Sequence, residues 1–247
     1  MSLSKAVQRL FAAMGLNLTR LPGNRFDVMP DVLRRLAREG FDPTRIVDVG
    51  SNRGQWATAA SAVFPRVPLH LIEPQAACRA DLDVFAARRG ATEVHDVFLT
   101  SRGVDHVQVV GAGFGSTGAH VIDTTTGRTD GQSMPASTLD ALLAGRLSDS
   151  DRVLMKLDVE GHELEVLDGA SAVLAHVEVI VSEVSFFDIE HAGHPTFTAY
   201  VSALAAAGFV LYDIAALASR RRDGRLRMGD AVFVRAGSRL LADDSWA

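Results

Sequence analysis

The sequence predicts an α/β fold in which seven strands form a doubly wound, mostly parallel sheet with helices on both faces. Short apolar runs, typical of strands buried on both sides, alternate with segments of helical periodicity. At 247 residues the chain is long enough for one large domain, and no linker-like stretch divides it. We therefore expect one α/β domain to account for most of the chain.

Seven segments have the character of buried strands. They are residues 46–50, 69–73, 94–99, 153–157, 177–184, 209–212 and 231–234. The last two flank an arginine-rich turn, so we expect them to pair as an antiparallel C-terminal hairpin. Helical periodicity fills the intervals at residues 55–64, 137–147 and 197–207, and a further helix begins after Gly161.

Two helices are predicted before the first strand, so we assign residues 1–40 to an α-helical N-terminal extension and residues 41–247 to the main domain. The second helix is expected to begin at Asp31 and to end at Gly40. The first helix has an apolar stripe suited to packing on the domain or on a partner subunit in a homodimer. The stripe consists of Val7, Leu10, Phe11 and Met14.

A β-rich insertion is predicted at about residues 100–135. Residues 113–118 match the pattern G-x-G-x-x-G, which is associated with dinucleotide binding when a helix follows it. Here the next residues are rich in β-branched side chains, which disfavour a helix. The match therefore indicates a turn within an antiparallel insertion.

The composition narrows the range of partners and compartments. A net charge of −5 provides no basic field for nucleic acid, and the basic run at residues 220–227 includes Asp223 and indicates a solvated hairpin rim. No apolar run reaches the about 20 residues that span a bilayer. Cys78 is the single cysteine, and the first residues lack the layout of a signal peptide, so we expect a cytoplasmic protein.

A glycine-containing turn between the first strand and its helix predicts a cofactor site. Glycines at both ends of the turn allow close backbone approach, and the free amides of a helix N-terminus hold anionic groups. Asparagine tolerates the left-handed backbone that such turns require. The turn consists of Gly50, Ser51, Asn52, Arg53 and Gly54. About 20 residues later Glu73 ends the second strand, where a carboxylate can bind ribose hydroxyls, so the site should bind an adenosine-containing cofactor.

The junction after the strand at 153–157 is the candidate catalytic centre. Asp158, Glu160 and His162 follow that strand, at the edge of the sheet where ligands bind in open α/β folds. Asp158 alone could be a helix cap. His162 or Glu160 is the candidate general base, because a neutral histidine accepts a proton near neutral pH. For His162 the alternative is a helix-terminus histidine bonded to a carboxylate, and Lys156 is expected to be a paired structural lysine.

The same residues carry a resemblance to a known family. The segment from Lys156 to Glu163 with the residues 166–170, the segment 47–55 and the acid at Glu73 are similar to the signature of the FkbM family of S-adenosylmethionine-dependent methyltransferases. Further similarity lies at residues 179–184, so the resemblance covers about residues 45–235. It implies a Rossmann-like class I methyltransferase fold, with S-adenosylmethionine as the cofactor.

The resemblance also implies roles for individual residues. Asp48 belongs to the cofactor motif, Asp96 after the third strand would meet the adenine edge, and Asp158 would contribute to the cofactor site. Asp158 and Glu183 end neighbouring strands, and we hypothesise that they bind Mg²⁺, as in metal-dependent O-methyltransferases. Asp96 as a surface turn acid is the alternative. The N-terminal helix would act as a lid, as N-terminal helices commonly do in class I methyltransferases.

The resemblance suggests methylation of a hydroxyl on a small polar acceptor, and we expect a sugar or oligosaccharide such as a mannoside or deoxysugar. Methylation of a polyketide or lipid hydroxyl is an alternative acceptor class. A NAD-dependent oxidoreductase is a second reaction class, but the chain has only two tyrosines and no recognisable Tyr–Lys pair. A cofactor-binding protein without catalysis is the third hypothesis. His191 and His194, in the loop after Glu183, are weaker candidates for acceptor contact.

Overall fold

The computed structural model describes residues 7, 10, 11, 13, 14, 29–110, 120–122, 132–188, 194–220, 222–243 and 245. The helices in this part of the chain are α1 (Met29–Arg38), α2 (Gln55–Val63), α3 (Ala76–Arg89), α4 (Leu139–Leu142), α5 (Glu163–Asp168), α6 (Ser171–Leu174) and α7 (Phe197–Ala206). A 3₁₀ helix, Arg239–Leu241, lies near the C-terminus.

The described strands are β1 (Arg45–Val49), β2 (Leu69–Ile72), β3 (Thr92–His95), β4 (Phe98–Leu99), β5 (His106–Val110), β6 (His120–Ile122), β7 (Gln132–Ser137), β8 (Val153–Leu157), β9 (Val177–Ser185), β10 (Phe209–Ser219) and β11 (Leu226–Arg235). Seven of them form the main sheet, in the order β10-β11-β9-β8-β1-β2-β3. The pairs from β9 to β3 are parallel, and β11 runs antiparallel to both β9 and β10. This confirms the predicted α/β sheet and its antiparallel hairpin.

The core of the domain lies on both faces of this sheet. β8 is buried at every position, as expected for a central strand of a parallel sheet. Val47 and Met155 face one apolar layer with α5, α6 and α7, and Ile46 and Leu154 face the other, with α1, α2 and α3. The carboxyl ends of β1, β2, β8 and β9 are thereby held at one edge.

The predicted third strand, 94–99, is divided between two sheets. Residues 92–95 form β3 at the edge of the main sheet, and Phe98 and Leu99 form β4 in a second sheet of order β4-β7-β5-β6. The chain changes sheets because Phe98 is buried against Val109 and Met134 of the insertion. β5 pairs antiparallel with β6 and β7, in agreement with the predicted β-rich insertion, whereas residues 113–118 lie outside the described residues.

The N-terminal boundaries differ from the prediction. Helix α1 begins at Met29, before Pro30, so Asp31 lies in its first turn. Met29, Leu33 and Leu36 are fully buried, which places residues 29–38 in the core although the sequence assigned them to the extension. Earlier in the chain Val7, Leu10, Phe11 and Ala13 are helical. No helix in the described ranges has both the length and the apolar content to cross a membrane.

Candidate functional site

The carboxyl ends of β1, β2 and β8 surround a cavity of about 260 Å³. One wall is polar and comes from the ends of these strands and the loops that follow them, and another wall is apolar and comes from β4, β5 and β7 and the residue before β4. The polar wall includes Gly50, Ser51, Asn52, Glu73, Lys156, Asp158, Glu160 and His162, and the apolar wall includes Val97, Phe98, Leu99, Val109 and Met134. The predicted cofactor loop and catalytic junction therefore meet at one cavity.

The loop after β1 has the left-handed backbone expected at Asn52, whose φ is 46°. Gly50 is also left-handed, with φ of 77°, and an added Cβ there would lie 1.8 Å from the carbonyl oxygen of Asp158. The close approach of the chain after β8 thus requires glycine at position 50. The Ser51 hydroxyl donates to the carbonyl oxygen of Asp48 at 2.7 Å and accepts from the Ile72 amide at 3.0 Å, which ties the loop to β2.

Glu73 braces this loop from the end of β2. Its carboxylate accepts hydrogen bonds from the backbone amides of Asn52 at 2.8 Å and Gln75 at 3.0 Å. Burial raises the pKa of Glu73, and the two amide bonds partly oppose that effect. The carboxylate lies on the cavity wall, where the sequence predicted a ribose contact.

A buried charge cluster lies at the base of the cavity. The Lys156 ammonium donates to the Asp158 carboxylate at 2.6 Å, which confirms the predicted paired lysine and shows that Asp158 does not cap the following helix. Asp48 lies directly opposite Lys156 in the β1–β8 register and is fully buried. Burial raises the pKa of Asp48 to about 7, against the opposing effect of Lys156. The Lys156 ammonium thus forms its ion pair with Asp158, whereas both Asp48 oxygens are buried without a hydrogen-bond partner among the described residues.

The loop from Val159 to Gly161 is held by a residue that sequence reasoning did not select. The buried carboxylate of Glu163 accepts from the amides of Val159 at 3.2 Å and Gly161 at 3.1 Å. Burial raises the pKa of Glu163 to about 7. Glu160, between these amides, has a left-handed backbone with φ of 54°, which costs about 1 to 2 kcal/mol for a residue other than glycine. Glu163 therefore supports a strained loop beside the cavity.

His162 lies on the cavity wall at the N-terminus of α5 and packs against Phe98, with 5.1 Å between ring centroids. Its Nδ1 is 3.6 Å from a Glu165 carboxylate oxygen, so the carboxylate of the alternative interpretation is nearby but beyond hydrogen-bond distance. Its buried Nε2 has no hydrogen-bond partner within the described ranges. Burial lowers the pKa of His162, so the ring is neutral at neutral pH. These features leave one nitrogen of a neutral imidazole without a hydrogen-bond partner, although neighbouring atoms cover that nitrogen.

Four of the predicted cofactor residues lie outside the lining of the cavity: Asp48, which is buried beneath it, Arg53, Gly54 and Asp96. Arg53 forms an exposed ion pair with Asp81, and Asp96 pairs with Arg79, its side chain 48% exposed. Gly54 is left-handed at the start of α2. The adenine contact expected of Asp96 stays a prediction, because its carboxylate is engaged at the surface.

The two expected metal ligands occupy different cavities. β8 and β9 are neighbours with Leu157 opposite Ser182, so Asp158 and Glu183 follow in adjacent positions. Asp158 lines the large cavity, whereas Glu183 lines a second cavity of about 10 Å³ together with His194. The imidazole of His194 packs closely on Gly161, where an added Cβ would lie 3.0 Å from Nδ1 of His194. His191 lies outside the described residues.

The apolar wall of the cavity was missed by sequence reasoning, as was Trp56 of α2. Trp56 follows the cofactor loop directly, so its position in the first turn of the helix was a usable signal. Val109 and Met134 lie in strands far along the chain and reach the cavity only because the second sheet packs over it. Nothing in their local sequence indicates that contact.

Known proteins resemble this chain in sequence or in fold. No curated protein matches the sequence significantly. Among solved structures, magnesium protoporphyrin IX methyltransferase from Synechocystis PCC 6803 with bound S-adenosylmethionine has 12% identity and a TM-score of 0.48, with 85% of this chain and 79% of that chain covered. An amino pentose methyltransferase of calicheamicin biosynthesis from Micromonospora echinaspora has 16% identity and a TM-score of 0.44, covering 86% and 92% respectively. The methyltransferase FkbM domain matches residues 48–211, and the chain therefore belongs to the FkbM family of S-adenosylmethionine-dependent methyltransferases.

Proposed function

We propose that the protein transfers the methyl group of S-adenosylmethionine to a hydroxyl of a small polar acceptor, a sugar or oligosaccharide such as a mannoside or deoxysugar. The observation that carries the proposal is His162, a neutral imidazole on the cavity wall whose Nε2 has no hydrogen-bond partner in the described part of the chain. A hydroxyl acceptor must lose its proton as it attacks, and a neutral imidazole can take it.

The residues at the cavity fit the cofactor. Gln55 and Trp56 at the N-terminus of α2 line the same cavity as Glu73, so helix amides for a carboxylate and an acceptor for ribose hydroxyls lie at one cavity. Val97 and Phe98 provide an apolar wall suited to the adenine ring. S-adenosylmethionine supplies an electrophilic methyl group on its sulfonium when bound there.

The residues of the chain would then orient the acceptor and accept its proton. Lys156 and Asp158 fix the base of the cavity through their 2.6 Å ion pair, and the neighbouring loop presents Glu160 and His162. Bound S-adenosylmethionine would supply its methyl group to the acceptor oxygen and leave as a neutral thioether, and His162 would accept the hydroxyl proton at Nε2. Holding the acceptor in line removes much of the barrier, because positioning replaces lost translational freedom. Glu160 is the second candidate for the proton acceptor.

Magnesium binding by Asp158 and Glu183 stays a prediction. The carboxylate of Asp158 already binds the Lys156 ammonium, and Glu183 lines a separate cavity. The mechanism therefore routes no step through a metal. Activity measured in excess EDTA and with added Mg²⁺ tests this; loss of activity in EDTA that Mg²⁺ restores would return Asp158 and Glu183 to the role of metal ligands.

The first experiment is calorimetric titration of the purified protein with S-adenosylmethionine and, separately, with NAD. Binding of S-adenosylmethionine without binding of NAD supports the proposal, and the reverse would support the oxidoreductase alternative. Radiolabelled methyl transfer to a panel of sugars, oligosaccharides and hydroxylated polyketide or lipid acceptors then identifies the acceptor class. The panel includes apolar acceptors because Phe98, Val109 and Met134 form an apolar wall that would also suit them. Turnover of the apolar acceptors alone would overturn the sugar assignment.

Two further expectations belong to this proposal. The protein would act in the cytoplasm, on a small-molecule acceptor, and the helix around Leu10 would serve as a lid or as the interface of a homodimer. In the structure Leu10 is 62% exposed and Met14 57% exposed, so an apolar face is available for either role. Sedimentation and acceptor kinetics of the full chain and of a Leu10→Gln variant distinguish these two roles. If the helix is the interface, the variant should form a weaker dimer. If the helix is a lid, the protein should be a monomer and the variant should have a higher KM for the acceptor.

A further inference from the structure

Two histidines and a glutamate lie together at the edge of the main sheet, outside the site described above. His70 is on β2, and Glu93 and His95 are on β3, the edge strand. His70 lies opposite Glu93 in the register, and Ile72 lies opposite His95. Because side chains alternate along a strand, all three project from one face of the sheet, opposite the face where Val94 packs.

Their donor atoms lie close together. Nδ1 of His70 is 3.2 Å from Nε2 of His95, and one ligand atom from each of the three residues lies within 4.8 Å of the others. Two imidazole nitrogens on one tetrahedral Zn²⁺, each at about 2.0 to 2.1 Å, are separated by about 3.3 Å. The separation of the two ring nitrogens thus matches the spacing of a shared zinc ion.

The chemistry of the three donors also suits a transition metal. Two imidazoles and one carboxylate form a set that binds Zn²⁺ with a fourth position for water. His70 is buried and His95 is half-buried, so the site is partly shielded from solvent. Burial lowers the pKa of both histidines, and a neutral imidazole is the form that coordinates a metal.

The surrounding charges are mixed. The Glu93 carboxylate forms an ion pair with Arg146, and Arg45 lies near His70 while Asp96 lies near His95. A metal would therefore compete with Arg146 for the carboxylate of Glu93. Replacing Arg146 should therefore strengthen metal binding, which gives a test of the site.

We propose that His70, Glu93 and His95 form a binding site for one divalent transition metal of the zinc class, which fastens the edge strand β3 to β2. The site lies beside the cofactor cavity, because the Glu73 amide donates to the carbonyl oxygen of His95 at 3.1 Å and Val97 follows two residues later. A bound ion would thus stiffen the strand ends that carry one wall of that cavity. The proposal is independent of the acceptor and of the general base.

The test uses the full chain after dialysis against a chelator, titrated by calorimetry with ZnCl₂ and with MgCl₂. We expect one equivalent of Zn²⁺ to bind without binding of Mg²⁺ at this site, because Mg²⁺ prefers oxygen donors. Saturation with Zn²⁺ at about a hundredfold excess over Kd should raise the Tm by about 5 °C or more. Substituted Co²⁺ should give the strong visible absorption of a tetrahedral site.

Variants separate this site from adventitious binding. His95→Ala and Glu93→Gln should each weaken Zn²⁺ binding by about tenfold or more, by analogy with the cost of losing supporting groups at metal sites. Arg146→Gln should strengthen it by up to about fivefold, the range of an exposed ion pair. His106→Ala removes an exposed histidine on β5 and is the matched control, expected to bind as the unaltered protein does. Glu93→Gln alters a partly solvated side chain, so its result stands even if a histidine variant fails to fold.

Zinc binding of unchanged affinity and stoichiometry in His95→Ala and Glu93→Gln would overturn the proposal, as would an absence of saturable binding in the unaltered protein. In either case the 3.2 Å contact would be a hydrogen bond between two neutral imidazoles. A loss of affinity in His106→Ala equal to that in His95→Ala would also overturn it.

Discussion

Replacing Asp48 with asparagine should remove a pH-dependent penalty on folding. Asp48 is fully buried opposite Lys156, and burial raises its pKa to about 7 from 3.8. Between these two values the folded protein keeps the proton that the unfolded chain releases. Stability contributed by this group is therefore present at acid pH and is lost as pH rises towards 7.

The size of the effect follows from the separation of the two pKa values. Each unit corresponds to about 1.4 kcal/mol, so Asp48 should lower the free energy of unfolding by about 3 kcal/mol between pH 5 and pH 8. Asp48→Asn has no ionisation at this position, so its stability relative to the unaltered protein should improve by about that amount over the same range. Burying the asparagine amide changes the free energy of unfolding by the same amount at every pH, so it does not alter how the stability difference varies with pH.

Urea denaturation at pH 5, 6, 7 and 8, with linear extrapolation to water, measures both proteins. Asp223→Asn is the matched control. Asp223 is fully exposed and its pKa is lowered, so above pH 5 its contribution is constant and the variant should keep the slope of the unaltered protein. A stability difference for Asp48→Asn that is independent of pH, or that grows towards acid, would refute the reasoning.

Three further predictions concern the cavity. His162→Ala should lower kcat by about 10² to 10⁴ and flatten the dependence of kcat on pH. The unaltered enzyme should lose activity only below pH 6.5, because burial lowers the pKa of His162. A variant with unchanged kcat at every pH would exclude His162 as the base. Gly50→Ala should lower the free energy of unfolding by about 3 kcal/mol or more, because the new Cβ would lie 1.8 Å from the Asp158 carbonyl oxygen. Gly54→Ala is the control. Its Cβ would have contacts of 3.5 Å or more, so the variant should lose only the about 1 to 2 kcal/mol that a left-handed backbone costs alanine. Equal losses in urea denaturation would show that no close approach exists. Glu160→Gly should raise the free energy of unfolding by about 1 kcal/mol, because glycine adopts a backbone φ of 54° without strain. The same variant should have a lower kcat if Glu160 acts in catalysis. A destabilised variant would mean that the backbone at Glu160 is not strained.

Several elements could be predicted because their signals are local. The uninterrupted apolar run at residues 153–157 and its following acids define a buried strand and its carboxyl end, and β8 has those bounds. Asn52 between two glycines likewise indicated the left-handed turn that the structure has. The division of residues 94–99 into two strands was not predicted, because it depends on where Phe98 finds an apolar surface in the second sheet.

The sequence by itself determined the family, the parallel sheet, and the residues that occupy the strand ends, since hydrophobic periodicity and short motifs are properties of contiguous residues. Only the tertiary structure decided how these residues are paired. It joined Lys156 to Asp158 beside Asp48, separated Asp158 from Glu183 into two cavities, and brought Met134 and His162 into the lining of one cavity. The physical reason is that side-chain pairing and burial depend on strand register and sheet packing, which bring together residues far apart in the chain.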